Sequence, residues 1–400
     1  MRTGEIKRVV ARRPPDRREL ILAAAGDLFR ERGFHNVSVA DVAAAVDITA
    51  PALYRHFRNK RELLSEVVGK GLGLLEATVR EAADPDELLA TLATVGAERR
   101  GLATLWQREA RHLTDARREE LRQQLNGIAA QLASLVREAR TDLSPEDGEL
   151  LAWALLAITS SASRQRITLS RRRLEELMRE ITRSVAYCRL GSPTDTTRPA
   201  RRAQAPAGSA TQVASRREQL LTEAIRLFDE RGFQSVSTDD IGEAVGSTGP
   251  SIYKHFPSKT DLLVAAVVRG GERRQVGTDQ ALDGASSPME ALESLLRSYI
   301  DFALENSRLI GLLLTELDQL PEKYRRSSRQ VQRDYLALWG RLLGDARPGL
   351  DTAEGKLLVG AVLTVIDDAV RTARLTLRPD LADRLAEIGT TVLLLGSEEG

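Results

Sequence analysis

Apolar residues recur at helical spacing along most of this chain. Near the N-terminus, positions three and four apart form one apolar stripe: Leu20, Ile21, Ala24, Ala25, Leu28 and Phe29. Gly33 follows this stripe, and a glycine in that place supplies the left-handed residue that ends a helix. Strand-like alternation is almost lacking, and the long stretches are rich in good helix formers. The pattern therefore predicts an all-α protein.

Two short helices and the start of a long one follow the first stripe. Ser38 and Asp41 have the spacing of a capping box, which predicts that a second helix begins there. Thr49 is placed to cap a third helix with Pro51 in its first turn, and Asn59 is placed to cap a long fourth helix. Because only a tight turn separates the second and third helices, the pattern indicates a helix-turn-helix. The second member of such a motif enters the major groove of DNA.

The same pattern occurs twice along the chain. Residues 18–64 align without a gap on residues 217–263, at a constant offset of 199. A weaker similarity continues at an offset of 207, where residues 148–151 resemble residues 355–358. The segment between the copies is rich in Pro, Thr, Ala, Gly and Arg, as a linker is. The repeat divides the chain into a basic arm (1–16), a first helix-turn-helix domain (17–64), a first helical domain (65–191), a linker (192–214), a second helix-turn-helix domain (215–263) and a second helical domain (264–396).

Charge supports DNA binding only locally. The chain of 400 residues has a net charge of +1, with 42% hydrophobic and 29% charged residues, which indicates a globular protein without a general attraction to nucleic acid. From Thr49 to Arg61, however, there is no acid and there are several bases: Arg55, His56, Arg58, Lys60 and Arg61. The second copy repeats this arrangement with Lys254, His255 and Lys259. Overall neutrality therefore conceals two basic patches that suit DNA phosphates.

Other classes of protein are less favoured. The single cysteine, Cys188, excludes an intrachain disulfide and a cysteine zinc cluster. The four histidines lack metal-ligand spacing, and no glycine-rich phosphate loop or nucleophile elbow is present, so we expect no enzyme, no cofactor and no metal. Because there is neither a signal peptide nor an apolar run of about 18 residues, we expect a cytoplasmic protein without a membrane partner.

At the repeated motifs the chain resembles the TetR (AcrR-like) family of bacterial transcription regulators. The resemblance is carried by LFRERGFHNVSVADVAAAVDITAPALYRHFRNKRELL and LFDERGFQSVSTDDIGEAVGSTGPSIYKHFPSKTDLL. Family members usually have one such unit, followed by a divergent helical sensor domain, and dimerise through their last two helices. With both units in one polypeptide, the chain is similar to a tandem subgroup, and the segment TLWQREARHL adds to that similarity. The resemblance implies a ligand-relieved repressor of lipid-import (mammalian-cell-entry type) or lipid-catabolism genes.

The resemblance also implies DNA contacts, position by position. Base edges would be met by Thr49, Ala50, Pro51 and Ala52, and in the second copy by Thr248, Gly249, Pro250 and Ser251. Phosphates would be met by Ser38, Tyr54, His56 and Lys60, and by Ser237, Thr238, Tyr253, His255 and Lys259. Arg55 and Lys254 could reach either bases or phosphates. Because the side chains at positions 50 and 52 are small, thymine methyl groups and DNA shape are expected to supply part of the specificity.

Fusion of two units predicts a dimer-like arrangement within one chain. The helices expected to pair the halves in a four-helix bundle, related by a pseudo-twofold axis, are 149–166, 174–189, 355–376 and 381–395. Since the two recognition helices differ in sequence, we expect an operator with two unlike half-sites on double-stranded DNA. Further association of whole chains stays open. The N-terminal stretch could be an arm that tracks DNA or a solvated tail.

Each helical domain is expected to enclose a ligand cavity. Candidate lining residues are Leu102, Leu105, Trp106, Glu109 and Leu113 in the first domain, and Leu309, Leu312, Leu313, Glu316 and Leu320 in the second. Such stripes are more often plain core. Glu109 and Glu316 align, and either could orient a polar group of a ligand or pair with a neighbouring arginine. Because the second stripe is more apolar, we expect the effector, a small apolar or acyl-bearing molecule, to bind in the second domain.

One alternative keeps the fold and changes the function. Asp239 and Asp240, together with the loss of the counterparts of Arg58 and Arg61, make the second helix-turn-helix less basic. The chain could therefore be a protein-interaction module in which one helix-turn-helix no longer binds DNA.

Overall fold

The structure is a computed structural model, and it describes residues 17–82, 84–98, 102–164, 168–191, 215–246 and 252–396. Several predictions lie outside the described residues: the arm (1–16), the linker (192–214), and the base contacts of Thr248, Gly249, Pro250 and Ser251. All regular secondary structure in the described ranges is helical, which confirms the all-α fold. Within those ranges, none of the helices combines the length and apolarity that a membrane span requires.

The first half, residues 17–191, contains a short three-helix domain followed by longer helices. Its α-helices are α1 (Arg17–Arg32), α2 (Val39–Ala45), α3 (Ala50–Leu53), α4 (Lys60–Glu81), α5 (Pro85–Glu98), α6 (Leu102–Glu109), α7 (Asp115–Ala139), α8 (Pro145–Ser161) and α9 (Arg171–Ala186).

The second half, residues 215–396, repeats this order. Its described α-helices are α10 (Arg216–Arg231), α11 (Thr238–Ala244), α12 (Lys259–Leu282), α13 (Pro288–Glu305), α14 (Ser307–Thr315), α15 (Glu322–Ala346), α16 (Thr352–Ala369) and α17 (Leu381–Leu393). The segment that corresponds to α3 is described only from Ile252 onwards.

Polar side chains fix where the long helices begin. Asn59 Oδ1 accepts a hydrogen bond from the backbone N–H of Glu62 at 2.8 Å, which confirms the predicted cap of α4. Ser144 caps α8, and Asp351 caps α16, in the same way. These two caps place the starts of α8 and α16 at residues 145 and 352, ahead of the expected 149 and 355. The two helices also end earlier than expected, at Ser161 and Ala369.

The halves meet along α8, α9, α16 and α17. Helix α8 packs on α16 and α9 packs on α17, so the four helices that we expected to pair the halves do lie together. Their contact is apolar at the centre, where Leu155 and Ile366 are fully buried. Partly buried ion pairs flank it, with Arg378 Nη2 at 2.7 Å from Asp147 Oδ1 and Arg173 Nε at 2.5 Å from Glu354 Oε1. One chain therefore holds both three-helix domains on a single shared base.

Candidate nucleic-acid interface and effector cavity

Two matching capping boxes begin the second helix of each three-helix domain. In the first, Ser38 Oγ accepts the backbone N–H of Asp41 at 3.1 Å, and the Asp41 carboxylate accepts the N–H of Ser38 at 2.7 Å. Ser237 and Asp240 repeat both bonds in the second domain. Hydrogen bonds from the serine lower the pKa of both aspartates, so the carboxylates stay ionised at the positive end of each helix. The capping box predicted at Ser38 is confirmed, and both serine hydroxyls are engaged in it.

The first recognition helix, α3, presents a polar face to solvent. Tyr54 is 52% exposed, and Arg55 and His56 are exposed beside it, while Leu53 and Phe57 are buried. Ala50 and Ala52 are partly buried. The exposed side chains make a surface that can meet a DNA groove without disturbing the core.

Thr49 differs from its predicted role. It stands at the N-cap of α3, but its side chain makes no capping hydrogen bond within the described structure. The physical reason is local, because Pro51 has no N–H to offer and the N–H of Ala52 already bonds the backbone oxygen of Thr49 at 2.9 Å. The predicted cap position of Thr49 is therefore correct, but the hydroxyl does not supply the cap and stays exposed.

The second recognition segment is described from Ile252 onwards. Tyr253 is 54% exposed, Lys254 is exposed, and His255 is partly buried. The Tyr253 hydroxyl lies 3.3 Å from Thr238 Oγ1, so two predicted phosphate contacts of this copy are neighbours. The described part of the surface thus resembles that of the first copy in residue type and exposure.

Lys60 and Lys259 point into the three-helix domains. Lys60 Nζ donates to the backbone oxygens of Phe34 and Val37, both at 2.8 Å, and lies 4.3 Å from the centre of the Phe34 ring. Lys259 Nζ makes the equivalent bonds to Phe233 and Val236, both at 2.7 Å. Burial lowers the pKa of both ammonium groups. We had expected these lysines to contact phosphates, but the structure commits most of their donors to the chain between the first two helices.

Glu109 and Glu316 dock each three-helix domain on the helical domain below it. Glu316 Oε1 accepts the backbone N–H of Phe233 at 3.1 Å and lies 2.5 Å from Arg111 Nη1 of the other half. Glu109 Oε2 lies 3.4 Å from His112 Nε2. Burial raises the pKa of both carboxyl groups. These acids could have oriented a ligand or paired within the protein, and the structure shows them paired within the protein.

A cavity of about 950 Å³ lies in the first half and opens towards the second. Its apolar wall includes Leu72, Leu75, Trp106, Trp153 and Leu156, and its polar wall includes Arg111, Arg118, Asp229, Asp368 and Arg371. The indole N–H of Trp153 and Nε of Arg111 are buried and have no hydrogen-bond partner within the described chain. Since the wall is apolar on one side and carries several arginines on the other, it suits a molecule with an apolar body and a hydrogen-bond acceptor.

The predicted lining of the second half is core. Leu309, Leu312 and Leu320 are buried, as is Leu105 of the first half, and Leu313 packs partly buried against the same core. Larger side chains complete that core: Tyr299, Phe302, Tyr335 and Trp339. Trp339 is fully buried in this core, whereas Trp106 of the first half borders the cavity. The candidate lining residues of the second half thus belong to the core in the described structure.

The arginines that join the halves beside the three-helix domains are not among the residues predicted from the sequence. Arg108 Nη2 lies 3.5 Å from Asp318 Oδ2, and Arg111 Nη1 donates to Thr315 Oγ1 at 2.8 Å. A signal was present, because Arg111 and Asp318 occupy equivalent positions in the repeat and carry opposite charges. No group of three or more His, Cys, Asp or Glu side chains that could hold a metal ion occurs in the described ranges.

A three-helix unit with an exposed recognition helix in the first half, and the same order of described helices in the second, define a DNA-binding transcription regulator. The family model for bacterial regulatory proteins of the tetR family matches residues 21–67 and 220–266. The chain is 32% identical over 151 residues to the HTH-type transcriptional repressor KstR2 of Mycolicibacterium smegmatis. The matched region covers 35% of this chain and 72% of the relative. The chain belongs to the TetR family.

The chain is also similar to other bacterial transcription regulators. The HTH-type transcriptional activator FasR of Mycolicibacterium smegmatis is 27% identical over 157 residues, covering 38% of this chain and 70% of the relative. A TetR-family regulator from Bordetella parapertussis has a solved structure that matches with a TM-score of 0.41 and 21% identity, over 46% of this chain and 95% of that one. The ketosteroid transcriptional regulator KstR2 of Mycobacterium tuberculosis matches with a TM-score of 0.41 and 22% identity, over 46% and 96%.

Proposed function

We propose that this regulator binds one operator with both of its helix-turn-helix domains at once. The observation that carries this proposal is the shared base of α8, α9, α16 and α17, which joins two domains with similar exposed faces inside one chain. A homodimer reaches the same arrangement only by association, whereas tethering supplies an effective concentration on the order of mM.

The operator is proposed to have two unlike half-sites. Ala50, Ala52 and Arg55 in the first copy correspond to Gly249, Ser251 and Lys254 in the second. An arginine offers a planar fork that can bond guanine with two hydrogen bonds, whereas a lysine offers a single ammonium. Two recognition helices that differ in this way favour different base sequences.

The proposed effector is a small apolar molecule with a carboxyl, ester or thioester oxygen, which fits a regulator of lipid transport or lipid catabolism. Its site is the first-half cavity, whose wall combines two tryptophans with several arginines. Binding of the effector is proposed to release the DNA and so relieve repression. Only a ligand that binds the DNA-free conformation more tightly can have this effect.

The test of two-domain binding uses a matched pair of double variants of the full chain. Tyr54→Ala with Arg55→Ala removes the exposed face of α3, and Tyr253→Ala with Lys254→Ala removes its counterpart. Each pair should weaken binding to duplexes from the region upstream of the gene. Each should also lower the slope of log K against log salt by about one, because one phosphate-binding charge is lost.

The outcome separates the two candidate functions. A lowered slope in both variants supports two engaged domains. An unchanged affinity in the Tyr253 and Lys254 variant would instead favour the interaction module. Asp240 gives that alternative little support, because its carboxylate is used in the capping box.

A further inference from the structure

Arg111 belongs to the cavity of the first half and contacts the second half. It lines the cavity from the turn that follows α6. Its Nη1 lies 2.5 Å from Glu316 Oε1 and 2.8 Å from Thr315 Oγ1, both at the end of α14. Only 13% of the arginine side chain and 2% of the glutamate side chain are exposed, so solvent screens this contact little. The arginine thus joins the cavity wall to the other half.

The contact continues into the second helix-turn-helix domain. Glu316 Oε1 also accepts the backbone N–H of Phe233 at 3.1 Å. Phe233 directly follows Gly232, whose φ of +84° ends α10, and its backbone oxygen accepts a hydrogen bond from Lys259 at 2.7 Å. Lys259 begins α12, the helix that follows the recognition segment. A continuous chain of polar contacts therefore leads from the cavity to the end of α10 and the start of α12 in the second DNA-binding domain.

The same domain also forms part of the cavity wall. Asp229 on α10 lines the cavity together with Arg371, whose Nη2 lies 3.7 Å from the Asp229 carboxylate. Burial raises the pKa of Asp229. A molecule in the cavity would therefore touch α10 directly as well as Arg111.

The first DNA-binding domain is docked by contacts within its own half. Its docking acid, Glu109, accepts a hydrogen bond from the backbone N–H of Phe34 and lies 3.4 Å from His112 Nε2. The position equivalent to Arg111 in the second half is Asp318, which pairs with Arg108 and Arg329 and does not line the cavity. The hydrogen-bonded path that crosses from the cavity to the other half therefore leads to the second DNA-binding domain.

We propose that an effector bound in the cavity of the first half is sensed by the DNA-binding domain of the second half, through Arg111, Glu316 and Phe233. This inference rests on the proposed effector function of the cavity. An acceptor oxygen of the effector competes with Glu316 for Arg111. The loss of that partner loosens the docking of Phe233 and shifts the second recognition segment, whereas the first domain keeps its own docking through Glu109.

Hydrogen–deuterium exchange of the full chain tests the path without any ligand. The variant Arg111→Ala should raise exchange in peptides from 232–246 roughly tenfold or more, the effect expected for loss of one charge-assisted hydrogen bond. Peptides from 33–46 in the first domain should not change. The matched control Arg108→Ala removes a contact across the same boundary, to Asp318, that does not touch the second DNA-binding domain, and should leave exchange in 232–246 unchanged. If Arg111→Ala prevents folding, Glu316→Gln keeps an acceptor for Phe233 while removing the charge that binds Arg111.

A second arm uses a dansyl-labelled undecanoic acid as the probe. Its fluorescence reports binding, and Ala157→Trp, which fills the cavity, is the control. Bound probe should change exchange in 232–246 and leave 33–46 unchanged. Equal changes in both domains, a change in the first alone, or no change with Arg111→Ala would overturn the path. A probe that does not bind would count against the cavity as an effector site, while the variants would still decide the coupling.

Discussion

At the scale of single residues, Lys60 and Lys259 show how a base within a DNA-binding motif can serve the fold. Each ammonium group bonds two backbone oxygens between the first and second helices of its domain and lies over a phenylalanine ring. Those oxygens would otherwise be left without donors next to the core, which is costly. The lysines therefore hold the connection that orients the recognition helix.

The variant Lys60→Met distinguishes this structural role from a phosphate contact. The free energy of unfolding should fall by about 1–3 kcal/mol, because two carbonyl groups lose a charged donor. The slope of log K against log salt for DNA binding should stay the same under conditions where the protein is folded. Denaturant unfolding and a salt series measure the two effects. The reverse result, unchanged stability with a slope lowered by about one, would show that Lys60 binds a phosphate.

Residue roles could be read from the sequence where they depend on near neighbours. The capping box of Ser38 and Asp41 is an example, because both partners lie within one helical turn. The carbonyl partners of Lys60 lie 26 and 23 positions away, so its role became visible only in the folded chain. Thr49 was misjudged because the neighbouring proline removes a donor that the cap needs.

At the scale of elements, α6 and α14 occupy equivalent places but differ in what they carry. The turn after α6 presents Arg111, and the turn after α14 presents Asp318 at the same repeat position. Two copies of the first half would place Arg108 against a second Arg111, whereas the two different halves place it against Asp318. The pairing of unlike halves is therefore favoured by charge as well as by the tether.

The cavity could not have been located from these elements alone. Leucine stripes predicted the helices and their buried faces correctly, but a void depends on how several helices and their largest side chains fit together. Trp106 lines an open space, whereas Trp339 is fully buried beside Tyr335 in the other half. Apolar content alone therefore does not show which half holds an open space.

His112, in the turn after α6, makes the docking of the first DNA-binding domain sensitive to acid. Burial, with the nearby positive charge of Arg111, lowers the pKa of His112 to about 3. An unfolded chain takes up the proton near pH 6.5, so the folded state is fully favoured above that pH. It loses about 1.4 kcal/mol per pH unit as the pH falls towards 3.

The second half supplies the control for this prediction, because Gln319 stands at the position equivalent to His112. The variant His112→Gln should unfold in urea with a weaker dependence of stability on pH between 6.5 and 4.5 than the parent chain. Glu109 remains in both proteins, so its own titration cancels in the comparison. Identical pH dependence in the two proteins would show that His112 is not held neutral in the folded state.

At the scale of the whole molecule, one chain takes the place of a dimer, and its two DNA-binding domains differ in sequence. We expect the natural operator to bind more tightly than either symmetrised duplex made by repeating one half-site. Each mismatched base pair costs roughly 1–3 kcal/mol. Because the two domains are already joined, binding should fit a one-to-one isotherm of chain and duplex. Titration of labelled duplexes at fixed salt measures both properties.

Giving the first recognition helix the residues of the second tests the same preference for unlike half-sites from the protein side. The triple variant Ala50→Gly, Ala52→Ser and Arg55→Lys gives the first helix the residues that Gly249, Ser251 and Lys254 provide in the second. Its preferred duplex should become the one that repeats the second half-site, while its affinity for the first half-site falls. Because Ala50 and Ala52 are only partly buried and Arg55 is exposed, the fold should tolerate the change. If the parent chain preferred a perfect palindrome, or if the variant kept the parent's preference, half-site choice would have to come from DNA shape or from residues outside these helices.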